Sequence, residues 1–230
     1  MASQCSRVEG FQLDLRDGDV WRWLAGGRRH VSVLAEEVTE RRLQGQALSR
    51  PRAIYRQLGV EDVTSRGVLM EEDVWLEATG LGEFFRGAEE AVFIVVTIGA
   101  DLERQVATLF GEGRRVEAFV LDAVGTAAAT SAFRSIAGHI CREAGEKGRQ
   151  TGPALRPGQD YWDITGQRSI FQVLPTQNLG VRLLDSCFMS PQKTQSAVIP
   201  LGTHLKVQGD PGEPYCGYCT AKRCPTRMGY

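Results

Sequence analysis

From Val116 to Ala144 the chain repeats apolar residues at helical spacing. Val116, Val120, Ala123, Ala127, Phe133, Ala137 and Cys141 approximate one face of a single long helix. Its middle, Ala123-Val-Gly-Thr-Ala-Ala-Ala-Thr-Ser-Ala132, carries almost no bulk, so another backbone or a ligand can approach closely. Tight packing onto a sheet is the expected use of most of those positions. A strand to match lies just upstream. Ala91-Val-Phe-Ile-Val-Val-Thr-Ile98 is short, β-branched and bounded by Gly99, which suits a central buried strand. Together they predict one α+β body, a mixed or antiparallel sheet packed by a long helix.

The other elements alternate in type, with no internal repeat. Phe11-Gln-Leu-Asp-Leu15 alternates like a short strand, and Asp17 or Asp19 is a candidate cap for the turn carrying Val20, Trp21 and Leu24. Val31 to Leu48 reads as an amphipathic helix stopped by Pro51. Asp73–Glu77 reads as a strand, followed by Gly80, Gly82 and a short Glu-Phe-Phe helix. Asp101 is the expected cap of a helix through Leu102, Val106 and Leu109 that ends at Gly111 and Gly113. A polar break spans Gly145–Asp160. Thr165–Leu174 reads as a helix burying Ile170, Phe171 and Leu174, and Val181–Leu184 and Ser196–Ile199 read as strands around Met189-Ser-Pro191. The expected division is a body over residues 1–207 and a cysteine-rich tail over 208–230.

Several function classes are disfavoured by composition. Lys+Arg 27 against Asp+Glu 28 leaves a formal net charge of -1, with no basic field to recruit nucleic acid. The Arg28-Arg29, Arg41-Arg42 and Arg114-Arg115 pairs lie among acids and read as solvated faces. The longest apolar run, Ala91–Ile98, is far short of a membrane span, and the N-terminal Met-Ala-Ser-Gln-Cys has no charged-then-apolar leader. A cytoplasmic location is expected, with thiols kept reduced. There is no Walker-type lysine loop, G-x-S-x-G elbow, H-E-x-x-H helix or Rossmann fingerprint. His30, His139 and His204 are far apart, and His139 reads as a packing residue of the long helix rather than a base. No catalytic residue is assigned.

The tail carries the clearest chemical signal. In Cys216-Gly-Tyr-Cys219-Thr-Ala-Lys-Arg-Cys224, a Cys-x-x-Cys pair and a third thiol form a three-thiolate cup for zinc or an iron–sulfur cluster. Cys187 and His204 are the nearest upstream candidates for a fourth ligand. Zinc accepts Cys and His freely, whereas simple iron–sulfur clusters prefer four cysteines. The tail has few apolar residues, so its order is expected to be coupled to metal binding.

Taken in succession, the remaining signals resemble a known family. Thr97-Ile-Gly99, Leu102-Glu103, Leu121-Asp-Ala-Val-Gly125 and Arg156-Pro-Gly158 with Trp162 and Gln167 follow the order and spacing of activation-domain-like proteins of cobalamin-dependent methionine synthase. The run Ser186-Cys-Phe-Met-Ser-Pro-Gln-Lys193-Thr-Gln-Ser-Ala197 looks like that family's Met–Pro–Lys–Ser segment leading into a strand. The resemblance covers roughly residues 50 to 227, and a Cys-rich tail also occurs in stand-alone members. Two departures stand out: Arg156 adjoins Pro157, with Gln159 after Gly158, and Thr126 and Thr130 replace acidic residues on the long helix.

The resemblance implies a reductive reactivator of a corrinoid-dependent methyltransferase such as methionine synthase. Inactive cob(II)alamin, presented by a corrinoid-binding partner, is reduced by one electron and trapped by the methyl group of S-adenosylmethionine, with a flavodoxin or ferredoxin as electron donor. Within it, Arg156, Pro157, Gly158, Tyr161 and Trp162 are the expected ligand-binding loop. A guanidinium matches a carboxylate, Pro157 sets the turn, Gly158 lets backbone approach, and the two aromatics offer a face to adenine or the sulfonium. The need for an electron favours an iron–sulfur cluster on Cys216, Cys219 and Cys224, with Cys187 as first choice for the fourth ligand. Two other readings stand beside it: an electron-transfer module whose ligand groove has degenerated, and a zinc-stapled interaction protein.

Overall fold

The computed structural model describes residues 5–25 and 34–212. Its elements run β1 (Ser6–Glu9), α1 (Asp17–Ala25), α2 (Ala35–Leu48), β2 (Arg52–Thr64), β3 (Gly67–Met70), β4 (Val74–Glu77), α3 (Leu81–Phe84), β5 (Glu90–Thr97), α4 (Asp101–Gly111), α5 (Arg115–Glu146), β6 (Gln150–Thr151), α6 (Gln167–Val173), β7 (Arg182–Leu183), β8 (Met189–Ser190) and β9 (Thr194–Gly202). The main sheet has the order β4-β3-β2-β5-β9-β6, with β1 added beside β2, and every pairing in it is antiparallel.

Strand β5 is the centre, as its apolar density predicts. Every residue from Ala91 to Thr97 is buried, because both faces of the sheet are covered. Val92, Ile94 and Val96 point into a core shared with α1, α2, α4 and α5. Ala91, Phe93 and Val95 point into a second core holding Phe84, Trp162 and Ile170. Burial of each Val, Ile or Phe contributes roughly 1.5–3 kcal/mol before entropy is counted, so this strand anchors both layers.

Helix α5 is the long element that the periodicity predicts, but it is buried on more than one face. Val120, Ala123, Ala127, Phe133 and Ala137 are buried as expected, yet so are Ala118, Leu121, Val124 and Ala128. The sheet lies on one side while α1, α2 and α4 wrap the other. Val116, expected inside, is 54% exposed beyond the reach of those neighbours. The bulk-free middle serves close approach: a β-carbon on Gly45 of α2 would stand 2.4 Å from Val124. The helix has the length and composition of a membrane span, but its apolar residues form the core.

Three local expectations are corrected, and one strand carries no local signal. Residues Phe11–Leu15 form no strand. Leu13 and Leu15 do turn inward alternately, but without a ladder partner; the pairing strand is β1. Asp101 is not the cap of α4: Ala100 occupies that position with no side-chain cap, and Asp101 pairs with Arg104 inside the first turn. Strand β2, the longest, shows no strand pattern in its sequence, because Arg52, Arg56 and Gln57 interrupt its apolar residues. The polar break is not a surface loop either. Thr151 to Leu155 are buried, and Leu155 exchanges two backbone hydrogen bonds of 2.8 and 2.9 Å with Val198 of β9. That bridge fixes the position of the next residue, Arg156.

Candidate functional site

A cavity of about 670 Å³ opens where the small-residue stretch of α5 meets the N-terminal segment, the loop after Leu155 and the start of β9. Ala127, Thr130, Ser131, Phe133, Arg134 and Ser135 come from α5; Gln12, Asp14, Arg16, Asp19, Arg22 and Trp23 from the N-terminal segment; Arg156, Gln159 and Gln195 complete it with Gly212. Ser131 Oγ donates to the Asp14 carbonyl at 2.8 Å, which ties the N-terminal segment to the helix. The absence of bulk at Ala127 and Ser131 leaves the space open.

Arg156 shares the cavity wall with Arg16, Arg22 and Arg134 and with Asp14 and Asp19. Its guanidinium lies over the Phe133 ring, 4.0 Å from the centroid, and its Nη1 donates to Gln195 Oε1 at 2.5 Å. Among the described residues no carboxylate pairs with it. Burial therefore pulls its pKa down to about 10, with the Tyr161 hydroxyl acting in the opposite sense and Arg134 adding like-charge repulsion. A half-buried guanidinium that has no bonded carboxylate and stands on a cavity wall keeps donors free for an anion.

The other residues of the predicted loop have different places. Pro157 is buried, and Gly158 has a φ of 92° and donates its N–H to the Trp162 carbonyl at 2.8 Å. Tyr161 packs on Phe84, with ring centroids 5.0 Å apart, and its hydroxyl accepts from the Arg156 N–H at 3.4 Å. Trp162 is 1% exposed in the second core, beside Gly166, and its indole N–H has no partner among the described residues. None of these four lines the cavity. They clamp the loop that presents Arg156.

Gln195, Thr130, Arg134 and Phe133 had no reading as site residues. Gln195 Oε1 accepts from Arg156 and its Nε2 donates to Thr130 Oγ1 at 3.2 Å. An amide in a strand and a threonine in a helix carry no spacing signal that joins them.

The family-like motifs other than the Arg156 loop converge at a different spot. The Lys193 ammonium lies 2.8 Å from the Asp122 carboxylate and donates to Thr126 Oγ1 at 2.9 Å, while the Lys193 N–H donates to Glu103 at 2.6 Å. Thr194 donates to Thr97 at 3.0 Å beside them. The cluster ties β9 and β5 to α4 and α5, and its groups satisfy one another.

Cys216, Cys219 and Cys224 lie outside the described residues. Cys187 is 2% exposed, its thiol 4.0 Å from the Asp185 carbonyl, and His204 is exposed. No group of three or more His, Cys, Asp or Glu is placed to hold a metal among the described residues. His139 sits 3.5 Å from Glu143 on the outside of α5, away from the cavity.

No family model matches the sequence, and no curated protein does. Among solved structures the chain is similar to the MetH reactivation domain bound to AdoHcy, with a TM-score of 0.67 and 14% identity over 92% of this chain and 82% of that one. The chain has the fold of the MetH reactivation domain. The expected α+β architecture, an antiparallel sheet packed by a long helix, is the one it shares with that domain.

Proposed function

We propose that this chain binds S-adenosylmethionine in the cavity beside Arg156 and serves as a reactivation module for a corrinoid-dependent methyltransferase such as methionine synthase. The observation that carries the reading is Arg156, a half-buried guanidinium with no carboxylate partner among the described residues, on the wall of a cavity of about 670 Å³. That volume suits a nucleoside-sized ligand. The residues fit the group: Arg156 faces an amino-acid carboxylate, Asp14 and Asp19 offer acceptors to an ammonium or to ribose hydroxyls, and Trp23 offers an aromatic face. The likeness to a domain solved with AdoHcy bound supports the same ligand class.

S-adenosylmethionine, when bound, supplies an electrophilic methyl group to a corrinoid carried by the docked partner. The chain's own residues hold and orient the ligand, which requires no acid or base. The cavity wall has no histidine or cysteine among the described residues. Calorimetric titration with S-adenosylmethionine and AdoHcy tests the reading. One site per chain for both is expected; no binding of either overturns it.

The tail supports a second element of the same function. Gly212, the last described residue, is part of the cavity wall, and its carbonyl accepts from Arg134 Nε at 3.3 Å. Gly209 is bonded to Thr151 in both directions, at 3.2 and 3.3 Å. The three-thiol run therefore begins four positions beyond the ligand cavity in sequence. We propose that Cys216, Cys219 and Cys224 hold an iron–sulfur cluster, with Cys187 as the candidate fourth ligand, that passes an electron from a cytoplasmic flavodoxin or ferredoxin towards the corrinoid. Zinc is the alternative metal.

A further inference from the structure

We propose that Gln195 is the positioning residue that aims Arg156 at the ligand's amino-acid end, and so makes the cavity selective for adenosine ligands that carry a carboxylate. The inference rests on the reading of the cavity as an S-adenosylmethionine site and goes beyond it by naming what sets the recognition.

The geometry is a relay between three elements. Gln195 lies on β9, and its register partner is Val96 of β5. Its neighbours alternate in the usual way: Ser196 turns to the opposite face and donates to Gln167 at 2.8 Å, whereas Gln195 turns to the α5 face. There its amide makes two directed bonds, accepting from Arg156 Nη1 at 2.5 Å and donating to Thr130 Oγ1 at 3.2 Å. Thr130 in turn donates to the Thr126 carbonyl at 2.9 Å, which fixes its hydroxyl and leaves an oxygen lone pair for Gln195. The amide can therefore present only its oxygen to Arg156.

The chemistry of the side chain matters as much as its place. A glutamate there would occupy the guanidinium fork and neutralise it, leaving no unmet charge for a ligand. A leucine would leave the guanidinium stacked on Phe133 but with nothing to set its rotation in plane. The neutral amide holds one N–H and leaves the charge uncompensated, with donors to spare for a ligand carboxylate. Orientation without neutralisation is what a carboxylate site requires.

The test compares AdoHcy with 5′-methylthioadenosine, which keeps the adenosine and sulfur but lacks the amino-acid end. In Gln195→Leu and Gln195→Glu, affinity for AdoHcy is expected to fall about tenfold or more, with affinity for 5′-methylthioadenosine unchanged. An equal loss for both ligands, or no loss for either, overturns the proposal. A second readout uses no ligand. In Gln195→Glu the new carboxyl is held below its ordinary pKa by Arg156, so it adds stability above the ordinary carboxylate range that disappears as pH falls through the depressed value. A denaturation midpoint that tracks the parent at every pH overturns the placement of Gln195 against Arg156. If the parent binds neither ligand, the binding reading falls with its consequence for selectivity, while the pH profile still decides whether Gln195 holds Arg156.

Discussion

Replacing Arg156 with methionine is expected to separate binding from stability. A pKa drawn down to about 10 means that burying the charged guanidinium costs the folded protein on the order of 3 kcal/mol. Methionine removes that cost and keeps most of the apolar stem. It also removes the stacking on Phe133, worth about 0.5–2 kcal/mol, and the charge-assisted bond to Gln195, worth about 1.5–3 kcal/mol. The gains and losses cancel to within about 2 kcal/mol, so Arg156→Met should fold with nearly the parent stability. Ligand binding has no such compensation. Loss of a charge-assisted bond to a carboxylate weakens AdoHcy roughly ten- to hundredfold. Chemical denaturation and calorimetric titration on the same preparations measure the two quantities. A variant destabilised by more than about 3 kcal/mol that still binds AdoHcy like the parent would refute the reasoning, and would make Arg156 part of the core.

Three further outcomes are expected. Burial alone raises the Asp17 pKa, but its bonds from Thr39 at 2.7 Å and Arg42 at 2.5 Å outweigh that and hold it below the ordinary value; its stabilisation is present above the unfolded pKa and lost as pH falls through the folded one. The carboxylate is 40% exposed, so Asp17→Asn should cost at most about 1 kcal/mol at pH 7 and nothing in acid, and a pH-independent cost measured by denaturation would count against the pairing. Gly45→Val should destabilise by about 2 kcal/mol, since even a β-carbon there meets Val124 at 2.4 Å; an unchanged thermal midpoint would mean that α2 does not press on α5 as described. Protein purified without oxygen should be brown, with roughly four irons per chain, and Cys219→Ser should bleach it without unfolding the body; colourless protein with one zinc would remove the electron-transfer role.

The sequence alone determined those elements whose signal is local. Ala91–Ile98 is apolar at every position but one, so any fold must bury it on both faces. The span from Val116 to Ala144 repeats apolar residues too regularly for anything but a helix, and its lack of bulk marks a place of close approach. The order of the motifs from Thr97 to Lys193 pointed to the fold, and their side chains do meet, at Glu103, Asp122 and Lys193. Their meeting, however, ties elements together rather than forming a ligand cavity.

Arg156 could be named from sequence as a carboxylate-binding candidate, because a guanidinium matches a carboxylate wherever it sits and the family-like loop pointed to it. The roles of Tyr161 and Trp162 could not, since an aromatic residue reads the same whether it faces a ligand or the second core. Only the tertiary structure brings Gln195, Phe133 and Thr130 to Arg156, and it does so through strand pairing and helix packing between residues far apart in the chain. A hydrogen bond between a strand amide and a loop guanidinium depends on register, and register is set by burial summed over the whole sheet rather than by either residue's neighbours.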